Sequence, residues 1–136
     1  MSKKLYFAYG ANMNQTNMAW RCPNASNPRP FVLRDWQLKF YTHATVEYSP
    51  RNSVWGILWD ITQDCEQSLD SFEGFPVYYT KQQWTQDEKN LFFYEMASYR
   101  EGTPSQGYVD DIRSVYRYFN VPFDHLIQDV GYNYSN

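Results

Sequence analysis

Residues 4–13, with the sequence KLYFAYGANM, constrain the fold more than any other stretch of this chain. Residues 5–9 are rich in aromatic side chains and contain no turn former, which predicts a short, mostly buried strand. Gly10 allows a sharp bend and a close approach of the backbone to a bound group, and the following N–H groups can point into the same space. The pattern fits either a plain turn after a strand or one half of a ligand site.

The length of the chain favours one domain. Residues 1–136, with a hydrophobic content of 43%, are enough for one substantial core. Tyr, Phe and Trp together make up 20% of the chain, so bulky rings must fill much of that core while their polar tips find partners. We therefore expect a single domain that is rich in sheet.

The charge of the chain limits its partners. A net charge of −3 and a pI of about 5.3 supply no attraction for phosphate backbones or anionic lipid, so we expect no nucleic acid and no membrane as partner. Single-stranded nucleic acid bound through the aromatic residues would need a basic groove. No apolar run approaches the ~20 residues of a membrane span, and the first apolar run is too short for a signal peptide. We expect a cytoplasmic protein that binds a small molecule.

The cysteines and histidines form no recognisable metal motif. Cys22 and Cys65 are far apart and lie in no C-x-x-C arrangement, and His43 and His125 are equally isolated. The sequence therefore predicts no metal and, in the cytoplasm, two reduced thiols.

The first half of the chain predicts one short helix and two strands. Asn14 can cap a helix that runs to Arg21, and the Asn, Ser and Pro residues of 24–30 predict an exposed loop. The apolar alternation of residues 36–40 indicates a half-buried strand. After a predicted turn at 48–52, residues 54–61 are nearly all apolar, as in a central strand buried on both faces. Gly56 within it suggests a bulge or a tight contact.

The second half predicts a helix, a hairpin and one or two further helices. Thr62 can cap a helix with an apolar stripe of Cys65, Leu69 and Phe72, which Gly74 and Pro76 end. Residues 78–85 and 91–98 predict a hairpin with a longer polar loop. Thr103 and Pro104 predict the start of a helix whose apolar stripe is formed by Tyr108, Ile112, Val115 and Phe119. Pro122 predicts the start of a further short helix, which is followed by a frayed tail.

Glu73 is the carboxylate that the pattern favours for chemistry. It lies between apolar neighbours at the predicted helix end, where burial would raise its pKa towards the range of a general base. The alternative is a surface glutamate at a helix end. Asp70, three residues earlier, is expected to be solvated or bonded to nearby backbone N–H groups.

Three blocks of sequence, in this order, resemble the gamma-glutamylcyclotransferase (AIG2-like) family: residues 6–13, YFAYGANM; residues 54–56, VWG; and residues 69–74, LDSFEG. Residues 103–108 and 121–123 resemble the last segment of that family. The resemblance implies an α+β fold in which a small mixed sheet curls into a barrel with helices packed outside. It also implies a site without a cofactor, and a monomer or homodimer.

The resemblance implies an enzyme that converts a gamma-glutamyl amide to 5-oxoproline and the released amine. Glu73 matches the family's catalytic glutamate, which accepts a proton from the substrate's amino group and returns one to the leaving amine. Substrate binding is implied for Tyr6, Phe7, Ala8, Tyr9, Gly10, Ala11 and Tyr108. Core roles remain alternatives for Tyr6 and Tyr108.

Ala11 departs from the family pattern, in which this turn is most often Tyr-Gly-Ser-Asn. If the missing hydroxyl contacts substrate, affinity or substrate choice changes, whereas a site that uses only the backbone N–H tolerates alanine. A second hypothesis is therefore a non-catalytic protein that binds a small metabolite in the same pocket.

Overall fold

The structure, a computed structural model, describes residues 3–98 and 102–121. Within these two ranges, five strands form one sheet, and three helices pack around it. The strands are β1 Lys4–Ala8, β2 Ser26–Phe40, β3 Ala44–Ile61, β4 Tyr79–Gln86 and β5 Lys89–Met96, and the helices are α1 Gln15–Arg21, α2 Gln63–Glu73 and α3 Gln106–Tyr118. A single 3₁₀ turn, Ala11–Met13, lies between β1 and α1. None of the helices in these two ranges is both long and apolar enough to cross a membrane.

β1 occupies the centre of the sheet, whose strand order is β2-β3-β1-β5-β4. It pairs antiparallel with β3 and parallel with β5, which makes the sheet mixed. Gln86 at the end of β4 accepts a hydrogen bond from the N–H of Arg34 at 2.9 Å and donates one to the carbonyl of Val32 at 2.7 Å. The two edge strands are thus tied together, and the curled α+β fold is confirmed.

The helix ends follow the expected capping chemistry. The Asn14 side chain accepts hydrogen bonds from the N–H groups of Thr16 and Asn17, at 2.8 and 3.1 Å. Thr62 caps α2, and Gly74 ends it in the left-handed conformation with φ 67°, which glycine adopts without steric cost. These caps confirm the predicted bounds of α1 and α2 to within a residue.

Gly56 marks a tight contact between β3 and β1. A Cβ at this position would collide with the carbonyl oxygen of Ala8 and lie 2.6 Å from Cζ of Phe7. The strand around it is buried, as predicted for residues 54–61.

Two predicted loops are wrong, because β2 and β3 form a much longer hairpin than the polar sequence suggests. Most of residues 24–30 and all of 48–52 lie within these strands. Pro28 and Pro30 are tolerated because β2 is an edge strand, and Pro50 is tolerated because β1 pairs with β3 only from Ile57 onwards. Asn27 and Arg51 have positive φ angles, and the pairing of β2 with β3 contains shifts of register.

Smaller differences concern turns and caps. The β4–β5 loop is a two-residue turn in which Asp87 and Glu88 both have positive φ, rather than a longer loop. Ser105, not Thr103, caps α3: its side-chain oxygen accepts a hydrogen bond from the N–H of Tyr108 at 3.1 Å. Phe72 is 50% exposed and so does not belong to the buried stripe of α2. The predicted helix at Pro122 and the tail lie outside the described residues.

The prediction of reduced thiols is wrong. Cys22 follows α1 and Cys65 lies in the first turn of α2, and the two form a disulfide with a Cα–Cα distance of 5.1 Å. The sequence could not reveal this pairing because 43 residues separate the two cysteines and only the packing of α1 against α2 brings them together.

Candidate active site

A cavity of about 300 Å³ opens where β1 leaves the sheet. Its wall combines the glycine turn after β1 with residues from α1, α2, α3 and the β4–β5 hairpin. The lining residues are Tyr6, Tyr9, Gly10, Ala11, Asn12, Arg21, His43, Ala44, Phe72, Glu73, Tyr79, Tyr94 and Tyr108.

The structure brings most of the predicted site residues to this cavity. Tyr6, Tyr9, Gly10, Ala11, Tyr108 and Glu73 all line it. Phe7 does not, because its side chain points to the opposite face of the strand from Tyr6, and Ala8 does not, because it is buried where β1 closely contacts β3. The Phe7 ring packs against Phe31 and Phe93 in the core, and the carbonyl of Ala8 faces Gly56.

The glycine turn is held in place from several sides. The hydroxyl of Tyr108 lies 3.0 Å from the position that a Cβ of Gly10 would occupy, so a side chain there would crowd it. The Asn12 side chain donates a hydrogen bond to the hydroxyl of Tyr6 at 3.0 Å, and the Asn12 carbonyl accepts one from the indole of Trp59 at 3.0 Å. Within residues 3–98 and 102–121, no acceptor binds the N–H groups of Gly10, Ala11 and Asn12. These donors begin a 3₁₀ turn and are available to an anion.

Glu73 is the last residue of α2, directly before the left-handed Gly74. Its side chain lines the cavity, and no group in the part of the chain that the structure describes donates a hydrogen bond to its carboxylate. Burial raises the pKa of Glu73 to about 7, and the positive charge of Arg21 acts in the opposite direction. A carboxylate with this pKa can accept and return a proton near neutral pH.

Arg21 places a positive charge in the same cavity. Its guanidinium lies 3.6 Å from the centroid of the Phe72 ring and donates a hydrogen bond to the side-chain oxygen of Asn12. Burial lowers the pKa of Arg21, and Glu73 counteracts this; the group remains cationic, as arginine does in proteins. No ion pair joins Arg21 to Glu73 among the described residues.

Tyrosine hydroxyls make up much of the remaining wall. Burial raises the pKa of Tyr6, Tyr9, Tyr79 and Tyr94, and it raises the pKa of Tyr108 to about 12 although the N–H of Ala44 donates to that hydroxyl at 3.1 Å. All five therefore stay neutral at physiological pH. They can position a substrate through hydrogen bonds, but they are poor bases.

Asp70 is partly buried and bonds to side chains, rather than being solvated or bonded to nearby backbone N–H groups. It accepts a hydrogen bond from the hydroxyl of Tyr94 at 2.6 Å and forms an ion pair with Lys81 at 2.8 Å. Lys81 also pairs with the buried Glu66 at 2.6 Å. These contacts fix α2 against the β4–β5 hairpin, and with it the position of Glu73.

Comparison with known proteins places this site in a family. The family model described as "Gamma-glutamyl cyclotransferase, AIG2-like" matches residues 6–111, which include the glycine turn, Glu73 and Tyr108. The chain belongs to the gamma-glutamyl cyclotransferase, AIG2-like family. It is 30% identical over 122 residues to the gamma-glutamylcyclotransferases of Bos taurus and Homo sapiens, an alignment that covers 76% of this chain and 65% of each relative.

Solved structures confirm the gamma-glutamyl cyclotransferase-like fold. One named gamma-glutamyl cyclotransferase has a TM-score of 0.81 at 24% identity, and the match covers 99% of this chain and 92% of that one. An AIG2-like protein from Mus musculus has a TM-score of 0.60 at 15% identity, with coverages of 80% and 84%. The first match shows that the described residues adopt the family fold.

The sequence did not reveal several residues of this cyclotransferase-like site. Asn12 and Phe72 are neighbours of predicted site residues, so proximity was a usable signal for them. Arg21 was predicted only as a helix end, and no pattern linked it to Glu73, because that relation depends on the packing of α1 against α2.

Proposed function

We propose that this protein is an enzyme that converts a gamma-glutamyl amide to 5-oxoproline and a free amine. The observation that carries the proposal is Glu73, a carboxylate with a pKa of about 7 in the cavity formed by the glycine turn. Membership of a family named for this reaction supports it.

Glu73 acts as the general base and then as the general acid. It accepts a proton from the α-ammonium of the glutamyl group, and the freed nitrogen attacks the γ-carbonyl carbon of the same molecule. In the tetrahedral intermediate the ring nitrogen is cationic and loses its second proton to solvent; the oxyanion then collapses as the C–N bond to the leaving amine breaks, and Glu73 returns its proton to that nitrogen. A positioned acid–base group of this kind contributes roughly 10²–10⁴-fold, and the ring closure is already intramolecular.

The charges of the cavity match those of the glutamyl group. Glu73 faces the ammonium, while Arg21 and the N–H groups of Gly10 and Ala11 supply positive potential for the α-carboxylate or the developing oxyanion. The hydroxyl of Tyr108 binds the same group. Ala11 fits this arrangement because the turn offers its N–H, which alanine retains, and the carbonyl of Ala11 is held by the side chain of Asn17 at 2.9 Å.

The test is formation of 5-oxoproline from a panel of gamma-glutamyl amino acids, amines and peptides. Glu73→Gln removes the titrating group with little change in shape, and Glu88→Gln, on the exposed hairpin turn, is the matched control. We expect Glu73→Gln to lose activity by at least about 10²-fold and the control to retain it. Full activity of Glu73→Gln would overturn the assigned role. Calorimetric binding of a ligand that is recovered unchanged, without turnover of any compound, would instead identify a binding protein.

The compartment and the oligomeric state stay predictions. The charge and the apolar pattern favour the cytoplasm, whereas a disulfide such as Cys22–Cys65 is typical of oxidising compartments. Cell fractionation tests the compartment, and light scattering distinguishes a monomer from a homodimer.

A further inference from the structure

A second cleft, of about 370 Å³, lies against the same wall as the cavity. The two spaces share His43, Phe72, Glu73 and Tyr79, and the cleft extends to Tyr78 and Met96, which do not line the cavity. Glu73 is therefore accessible from both spaces.

The proposed reaction requires a carboxylate in such a position. Glu73 must take a proton from the glutamyl nitrogen and give one to the nitrogen of the leaving amine, so the two parts of the substrate meet at its carboxylate. The glutamyl group takes the cavity, which holds Arg21 and the glycine turn. The leaving amine is then directed into the cleft.

The cleft has the chemistry of an apolar subsite. Phe72 is 50% and Tyr78 52% exposed, so both rings present apolar surface to the cleft, and the thioether of Met96 adds an adaptable apolar surface.

The cleft also lacks a counter-charge for an acidic leaving group. No Lys or Arg lines it within residues 3–98 and 102–121; its nitrogen-bearing side chain is the imidazole of His43, and its charged partner is Glu73 itself. A carboxylate on the leaving amine would be desolvated against rings and repelled by Glu73.

We propose that this cleft is the leaving-group subsite and that it selects gamma-glutamyl derivatives of apolar amines, aromatic ones above all, over gamma-glutamyl amino acids. The inference rests on the proposed function. It specifies the chemical class of the leaving amine, which the glutamyl cavity does not contact.

Four compounds test separately the effect of an aromatic ring and the effect of a carboxylate on the leaving amine. Gamma-glutamyl-phenethylamine and gamma-glutamyl-ethylamine differ by the ring. Gamma-glutamyl-phenylalanine and gamma-glutamyl-alanine are the same two compounds with a carboxylate added. From the release of 5-oxoproline we expect the ring to raise kcat/KM by about tenfold or more and the carboxylate to lower it by a similar factor. Equal values for the four compounds, or a preference for the two amino acids, would overturn the inference while leaving the cyclisation intact.

Variants assign the preference to the cleft. Tyr78→Ala should bring the ratio of kcat/KM for the phenethylamine derivative to kcat/KM for the ethylamine derivative close to one. Tyr48→Ala removes a similarly exposed ring on β3 and should not change this ratio. Met96→Arg introduces the missing cation and should raise kcat/KM for the phenylalanine derivative relative to phenethylamine by about tenfold, with Met96→Leu as the matched variant. Unchanged ratios in both Tyr78→Ala and Met96→Arg would remove the cleft from substrate recognition.

Binding makes the test independent of turnover. Calorimetry with Glu73→Gln protein measures the four compounds without cyclisation, and the same order of affinity is expected, with a smaller penalty for the carboxylate because the repelling charge of Glu73 is removed. If the compounds bind in that order but the wild-type protein releases no 5-oxoproline, the proposed reaction fails and the subsite stands. If the phenethylamine derivative binds no more tightly than the others, the subsite is refuted.

Discussion

Arg21 should control the pH at which Glu73 becomes a competent base. The carboxylate must be ionised to accept the substrate proton, so with a pKa of about 7 the rate rises with pH through the neutral range. Arg21 stabilises the ionised form without pairing with it. Its replacement by glutamine therefore raises the pKa of Glu73 and moves the acidic limb of the pH profile to higher pH.

The size of this displacement follows from the cavity. Both side chains line the same cavity, and two unit charges about 8 Å apart interact by about 1–2 kcal/mol at an effective dielectric constant of 20 to 40. Loss of this interaction in Arg21→Gln raises the pKa of Glu73 above its value of about 7, and about 1.4 kcal/mol corresponds to a tenfold change in the ionisation equilibrium. At pH 7 the ionised fraction then falls about fivefold, and at pH 9.5 the two proteins have nearly the same fraction.

The assay is the pH dependence of kcat/KM for 5-oxoproline formation, which reports groups of the free enzyme. Arg21→Lys retains the charge and should keep the limb near that of the wild type, even if loss of the stacked guanidinium raises KM at every pH. If the acidic limb of the pH profile of Arg21→Gln lies at the same pH as that of the wild type, or at lower pH, the electrostatic coupling between Arg21 and Glu73 is refuted.

Three further predictions concern stability. The folded-state pKa of Glu73, about 7, lies above the ordinary value of 4.5 for a glutamate, so its favourable contribution is present below pH 4.5 and is lost as pH rises through 7. Glu73→Gln should therefore stabilise the protein by about 2–3 kcal/mol in urea at pH 8 and hardly at all at pH 4. Reduction of the disulfide, or Cys22→Ser, should cost about 4 kcal/mol for its 43-residue separation, and an unchanged urea midpoint would argue against the pairing. Gly56→Ala should cost at least about 1–3 kcal/mol, because its Cβ would overlap Ala8 and Phe7.

The fold was predictable wherever local chemistry determined it. Asn14, Thr62 and Gly74 cap their helices through contacts with residues two to four positions away, and the apolar run of residues 54–61 required burial wherever it was placed. The long β2–β3 hairpin was not predictable from local sequence. The polar and proline-rich residues at 24–30 and 48–52 become strand only because β2 and β3 pair with each other.

The site divides in the same way. Glu73 and the glycine turn are adjacent to recognisable sequence blocks, and the structure places them around one cavity. Arg21, Tyr79, Tyr94 and the disulfide depend on how α1, α2 and the β4–β5 hairpin pack. No spacing in the sequence encodes those contacts.

The position of Arg21 shows why such contacts matter for the chemistry. An ion pair with Arg21 would favour the ionised form of Glu73 and lower its pKa, leaving a carboxylate that is always charged but returns a proton poorly to a leaving amine. Phe72 and Asn12 instead engage the guanidinium, and Glu73 keeps a pKa of about 7. Variants of Phe72 or Asn12 that let Arg21 reach Glu73 should therefore move the acidic limb to lower pH, opposite to Arg21→Gln, and a pH profile of Phe72→Ala distinguishes this arrangement from a merely structural ring.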